Sequence, residues 1–236
     1  MYGKGPTVNE SNANLLNTFD FSEIDSLDPS LSEGFRVIYE KDIPFHIRFE
    51  DSDPERPDNE LIENIHIKML ILGDIQNPQV FKLELSSDND LFFFYAHTVS
   101  NSSFRDVKEQ QRLHVDFKEY PNVCIKSFSK CENSEQFIPL FILRTDGSGL
   151  LNIVQLSEYR NMDVISFECQ AAPEEVVRQQ ITYKYGSLKS KISLMEGRLQ
   201  DINELVRLKN PSLLLQIQKS PAKTKQQTLS TSFKKQ

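Results

Sequence analysis

Cysteine, phosphate-cradling loops and long apolar runs are all scarce in this chain, and each scarcity excludes a class of protein. Only 3 of the 236 residues are cysteine. Cys124 and Cys131 lie seven apart and Cys169 stands alone, which gives neither a disulfide framework nor a zinc-ligand spacing. Free thiols buried in a core are the reading that remains. No apolar run approaches the ~20 residues that span a bilayer as a helix. The N-terminus, MYGKGPTVNESNANLLN, lacks the continuous apolar segment of a secretory signal, so an intracellular protein with no membrane contact is expected. The one glycine-bearing candidate for a phosphate loop, TDGSGL at 145–150, has no lysine and opens no helix, so it reads as a hairpin turn.

Catalytic groupings are equally absent. The four histidines, His46, His66, His97 and His114, fall in separate predicted strands without a ligand-spaced cysteine or carboxylate. His114 and Asp116 flank Val115 on what reads as a solvated strand face. Glu174 and Glu175 read as acids complementing a helix start. No catalytic residue, metal, cofactor or small-molecule substrate is therefore expected, and the protein is not read as an enzyme.

What is present is organisation. The net charge of -7 is unevenly spread: residues 1–33 carry six acids against Lys4, whereas no acid follows Glu204 and seven basic residues do. We expect a disordered acidic arm over 1–33 and a disordered basic tail over 211–236. Between them, from about Gly34, apolar residues alternate with polar ones, as in IPFHIRFE, IHIKMLIL, VFKLEL, LFFFYAHTV, LHVDF, IPLFILR, GLLNIVQL and MDVISFEC. Two short helices interrupt the strands. Ser103 is the expected N-cap of the first. The second opens at Tyr120–Pro121 and puts Tyr120, Cys124, Phe128 and Cys131 on one stripe. The fold class expected for residues 34–172 is α+β, a small antiparallel barrel or sandwich of roughly eight strands with a helical insertion.

After residue 172 the period becomes seven. Ile181, Leu188, Met195 and Ile202 hold one position of the repeat, and Tyr185, Ile192, Leu199 and Val206 the other. That two-position seam predicts a coiled-coil helix over 173–210, closed by Pro211. It should be a weak one. Gly186 and Gly197 each cost about 1 kcal/mol in a helix interior. In a parallel homodimer Lys184 faces Lys189, Lys191 faces Glu196 and Arg198 faces Asn203, one repulsive pairing, one attractive and one neutral.

Two further features stand out. The hairpin NIVQLSEYRNMDVISFECQ carries Tyr159 at its turn, flanked by Glu158 and Arg160, where a tyrosine supplies none of the backbone chemistry a turn needs. The tail string QQTLSTSF, with Gln226, Leu229 and Phe233, resembles the short peptide that docks on the replication sliding clamp, with its paired aromatics reduced to Ser232–Phe233.

The block from Leu91 to Cys131 resembles the head domain of the centriolar cartwheel family, spindle assembly abnormal protein 6. It holds, in order, an aromatic-rich strand, a short helix ending in a glutamine pair, a VDF strand, and a helix opening with aromatic-proline and closing in cysteine. The likeness extends more loosely from Phe35 to Cys169. It implies a seven-stranded barrel with a helical insertion, a fold shared with a scaffold of DNA double-strand-break repair. It also implies head-to-head pairing in which a hydrophobic residue at a hairpin tip enters the partner. Aligning the hairpins places Tyr159 there, where family members commonly carry phenylalanine or an aliphatic residue. Head pairing and coil pairing together imply a self-assembled ring, ninefold in the family, that templates the centriole. The expected partners are therefore the chain itself and other centriolar or cytoskeletal proteins. The four-heptad coil, about 40 Å at ~1.5 Å per residue, departs from the family's long spoke. It points to the shorter branch at basal bodies, flagellar bases or apical cytoskeletal structures, hence to a cytoplasmic, cytoskeletal location. The alternative from another class is a DNA-metabolism scaffold of the same head fold with a clamp-binding tail.

Overall fold

The computed structural model describes residues 20–51 and 61–209. Ser22–Ser187 form one compact unit. The described residues of a second unit are Asp20, Phe21 and the helical stretch 188–209.

Seven strands close a barrel in the order β1-β2-β3-β4-β7-β6-β5. They are β1 (Arg36–Phe49), β2 (Leu61–Asp74), β3 (Asn77–Ser87), β4 (Phe94–Ser100), β5 (Phe137–Leu143), β6 (Gly149–Gln155) and β7 (Met162–Ala171). The period-two pattern builds the inner wall: Ile43, Phe45 and Ile47 from β1, Ile65, Ile67 and Met69 from β2, and Phe81, Leu83 and Leu85 from β3 are all buried. Closure requires β1 to run parallel to β5, His46 beside Leu140 and Phe49 beside Leu143. The barrel is thus mixed, not wholly antiparallel as expected.

Helices α2 (Phe104–Gln111) and α3 (Tyr120–Asn133) separate β4 from β5; α1 is a single turn, Ser22–Asp25. The stripe read from sequence is the one that packs. Tyr120, Cys124 and Phe128 are fully buried and Cys131 is half-buried. Phe128 stacks between Phe45 and Phe167, and Tyr120 meets Phe81 and Phe104 edge-on or tilted. Burial pushes the Cys131 and Cys169 thiols up to about 12 and Cys124 further in the same direction, which fits unreactive structural cysteines.

Several expectations are corrected. LHVDF forms no strand, which is why there are seven strands and not eight, and His114 accordingly lies outside the sheet. Phe117 is buried and Leu113 and Val115 half-buried, so the alternation is real. It is satisfied by packing against the core between α2 and α3, without a ladder partner. Ser103 precedes α2 but does not cap it; its hydroxyl accepts from the Ser100 N–H at 2.9 Å instead. The aromatic run LFFFYAHTV enters the sheet only at Phe94, because Asn89–Phe93 are bent around Ser87 and Asp90.

The acidic arm is also shorter than its composition implies. Of the residues placed in it for their charge, 22–25 form α1 and 29–33 lie in the 3-10 segment Pro29–Gly34. Asp28 and Ser30 are buried there, Asp28 paired with Lys68 and Ser30 donating to Glu84 at 2.6 Å. Asp28, an acid read as part of a disordered arm, is here the partner of a barrel cation. Residues 1–19 and 210–236, including Gln226, Leu229 and Phe233, lie outside the described residues.

Candidate assembly surfaces

The β6–β7 hairpin is positioned by its glycine and its bulge. A Cβ at Gly149 would stand 2.2 Å from the Phe141 ring, so only glycine lets that buried aromatic lie across the strand. The register runs from Gly149 opposite Cys169 to Gln155 opposite Met162, with an irregularity between Ile153 and Val154. The connecting loop, 156–161, is short and internally bonded. Ser157 Oγ donates to the Arg160 carbonyl and accepts from the Arg160 N–H at 3.4 Å, and the Leu156 N–H donates to the Gln136 carbonyl at 2.7 Å. Tyr159 emerges from this loop 89% exposed, with Glu158 and Arg160 exposed on either side. Met162 and Val164 continue an exposed apolar line down β7.

Two side chains that sequence reading missed hold β7 in the barrel. β4 and β7 share only two residue pairs, Tyr95–Ala171 and Ala96–Gln170. Beyond them the strands part, and side chains replace the ladder. His97 Nδ1 donates to the Glu168 carbonyl at 2.7 Å. The Gln111 amide donates to the Ser166 carbonyl at 2.7 Å and accepts from the Ser166 N–H at 3.0 Å. Burial lowers the His97 pKa, and the ring stands edge-on to Phe167. The glutamine pair closing α2 was visible in the sequence, but nothing local marks its target on β7.

The second surface is on α4, Glu174–Lys209. Its 36 residues extend about 54 Å at ~1.5 Å per residue. The first turns are seated on the barrel: Val177 is buried, Gln180 Nε2 donates to Ser30 Oγ at 2.9 Å, and Lys184 Nζ lies 3.1 Å from Asp88 and 3.3 Å from Ser86 Oγ. Along the seam Ile181, Ile202 and Val206 are half-buried, while Tyr185, Leu188, Ile192, Met195 and Leu199 are exposed. Five of the eight residues at the heptad positions are thus exposed apolar side chains, the feature from which a helix–helix contact is proposed below. Gly186 and Gly197 have open space where a Cβ would stand, so neither glycine is required by packing.

Among the described residues no cluster of three or more histidine, cysteine or acidic side chains could hold a metal, and no helix is long and apolar enough to cross a membrane.

Comparison with known proteins matches the barrel region. The family model described as the centriolar protein SAS N-terminal domain matches residues 37–169, more than half of the chain. The spindle assembly abnormal protein 6 homolog of Gallus gallus is 23% identical over 149 residues, 59% of this chain and 23% of the relative. An N-terminal fragment of Drosophila melanogaster Sas-6 dimerised via its coiled-coil domain superposes with a TM-score of 0.64 at 17% identity, covering 77% of this chain and 86% of the fragment. A Leishmania SAS-6 fragment containing part of its coiled coil gives 0.61 at 12% identity, covering 73% and 98%. The chain spans between 20% and 30% of the length of the curated relatives it matches. At these identities the structural likeness is one of fold.

Proposed function

This chain belongs to the family of the centriolar SAS N-terminal domain, and from that premise we propose that it is a non-enzymatic structural protein that self-assembles in the centriole or a related microtubule structure. Heads pair through Tyr159, flanked by Glu158 and Arg160, and helices pair through the α4 seam. The observation that carries the reading is Tyr159 itself, 89% exposed on a loop that its own serine braces. A large ring presented on a rigid turn loses little conformational freedom on docking and buries a large area, the profile of an interface anchor. Its hydroxyl must keep a water or find an acceptor in the partner, which makes the contact weaker than that of a phenylalanine. Head pairing and helix pairing are separate two-fold contacts, and their alternation builds a chain of dimers. The alternative reading as a DNA-metabolism scaffold gains nothing from the relatives described.

Sedimentation of the full chain across a concentration series tests this. The wild type should pass from dimer to larger species as concentration rises. Tyr159→Glu should stop at helix-paired dimers, and Ile192→Glu with Leu199→Glu should stop at head-paired dimers. Combining all three should leave monomers. Identical profiles for Tyr159→Glu and wild type would remove the hairpin from the mechanism.

A further inference from the structure

The loop from Asp88 to Phe92, between β3 and β4, presents an exposed aromatic that neither the barrel nor the hairpin explains. Phe92 is 77% exposed and Leu91 about half. The loop is braced as firmly as the hairpin tip. Ser87 Oγ accepts from the N–H groups of Asn89 at 2.9 Å and Asp90 at 3.1 Å, and itself donates to Glu63. Asp90 Oδ1 accepts from the Phe92 N–H at 3.0 Å, and the Asp90 carbonyl accepts from Phe93 at 3.0 Å. A pre-organised turn with an outward apolar pair costs little to dock.

Its position relative to the helix identifies what covers it. Asp88 lies 3.1 Å from Lys184 Nζ. Lys184 immediately precedes the seam residue Tyr185, so it occupies the position that flanks the seam and faces a second helix. In a parallel pair Lys184 meets Lys189 of the partner subunit, the one repulsive pairing in the helix. Asp88 supplies the missing negative charge at that point, and its side chain remains 88% exposed beyond Lys184. Leu91 and Phe92 follow three and four residues later on the same braced turn.

We propose that the Asp88–Phe92 loop is a second contact of the helix-paired dimer, docking on the helix base of a second copy of this chain. Asp88 neutralises Lys184 against Lys189 of the partner subunit, and Phe92 packs against the partner's first helical turns. The head thus contributes charge and apolar area to a stalk whose own sequence pairs poorly. This inference rests on the helix pairing proposed above.

The test uses the full chain carrying Tyr159→Glu, so that only helix pairing is measured, with dimer dissociation followed by sedimentation at low salt. Asp88→Asn should weaken the dimer about fivefold, since each dimer holds the exposed charge pairing twice. Phe92→Ser should weaken it about tenfold through lost apolar burial. Adding Lys189→Gln to Asp88→Asn should restore the parent value, because the repulsion that Asp88 offsets is then gone. Raising salt should shrink the Asp88→Asn effect but not the Phe92→Ser effect. Matching thermal melts would confirm that these surface variants fold. A dimeric parent with either single variant unchanged overturns the loop contact alone. Failure of Lys189→Gln to rescue overturns it too, because Asp88 then acts only within its own chain. A parent that stays monomeric overturns the helix pairing and this contact together.

Discussion

Two histidines on the barrel pull its stability in opposite directions as pH changes. His66 sits between two carboxylates, Nε2 at 2.9 Å from Glu40 and Nδ1 at 2.7 Å from Asp42. The hydrogen bond to Glu40, supported by Asp42 against a desolvation penalty, raises its pKa. The stability this contributes is complete below the unfolded value of ~6.5 and is lost as pH rises through the folded one. His97 is sealed in the β4–β7 gap and burial lowers its pKa. Below ~6.5 the unfolded chain binds a proton that the folded ring resists, so stability falls with falling pH. Urea midpoints measured between pH 5 and 8 should therefore peak near pH ~6.5. His66→Gln should flatten the alkaline limb and leave the acid limb in place; an unchanged alkaline limb would discard the carboxylate clamp. Neither role was readable from the sequence, where both residues are simply histidines in strands. Tyr159 stood out because an aromatic violates turn chemistry over a few adjacent residues. The partners of His97 and Gln111 lie far away in the chain, and only the closed barrel brings them together.

At the scale of elements, periodicity carried most of what could be read. The α3 stripe matches side chains packed on the core. LHVDF failed as a strand because alternation reports which residues face a core, not whether a neighbour offers a hydrogen-bonding edge. The parallel β1–β5 pairing was hidden for a related reason: it joins strands some 90 residues apart, with no turn between them to set a register. The glycines of α4 permit a prediction at this scale. Gly186 and Gly197 stand off the seam and meet nothing within 4 Å of an added Cβ. Gly186→Ala and Gly197→Ala should each stabilise the helix by about 1 kcal/mol. Circular dichroism of the full chain should show the gain as a raised melting temperature, with the barrel signals unmoved. A fall in stability would mean that one of these positions is covered in the assembled protein.

For the molecule as a whole, the proposed function depends on two contacts acting through one chain, and that dependence predicts a specific kind of poisoning. If helix pairing is the firmer contact, the working particle is a dimer with two heads, and each head adds one neighbour. A mixed dimer, one subunit wild type and one Tyr159→Glu, still forms along α4 but offers a single working hairpin. It can join the end of a growing chain and cannot extend it. Small fractions of Tyr159→Glu should then shorten assemblies far beyond their stoichiometry, because each mixed dimer ends a whole chain. Closed assemblies should be more sensitive still, since closure makes the last weak contact intramolecular and one dead head forfeits that gain. Light scattering of wild type mixed with a few per cent of Tyr159→Glu, after subunits have exchanged, would measure the mean length. The control is Tyr159→Glu carrying Ile192→Glu and Leu199→Glu, which can enter neither contact and should leave the scattering unchanged. A simple proportional decline with the poisoned fraction would mean that the chain assembles through some surface other than these two.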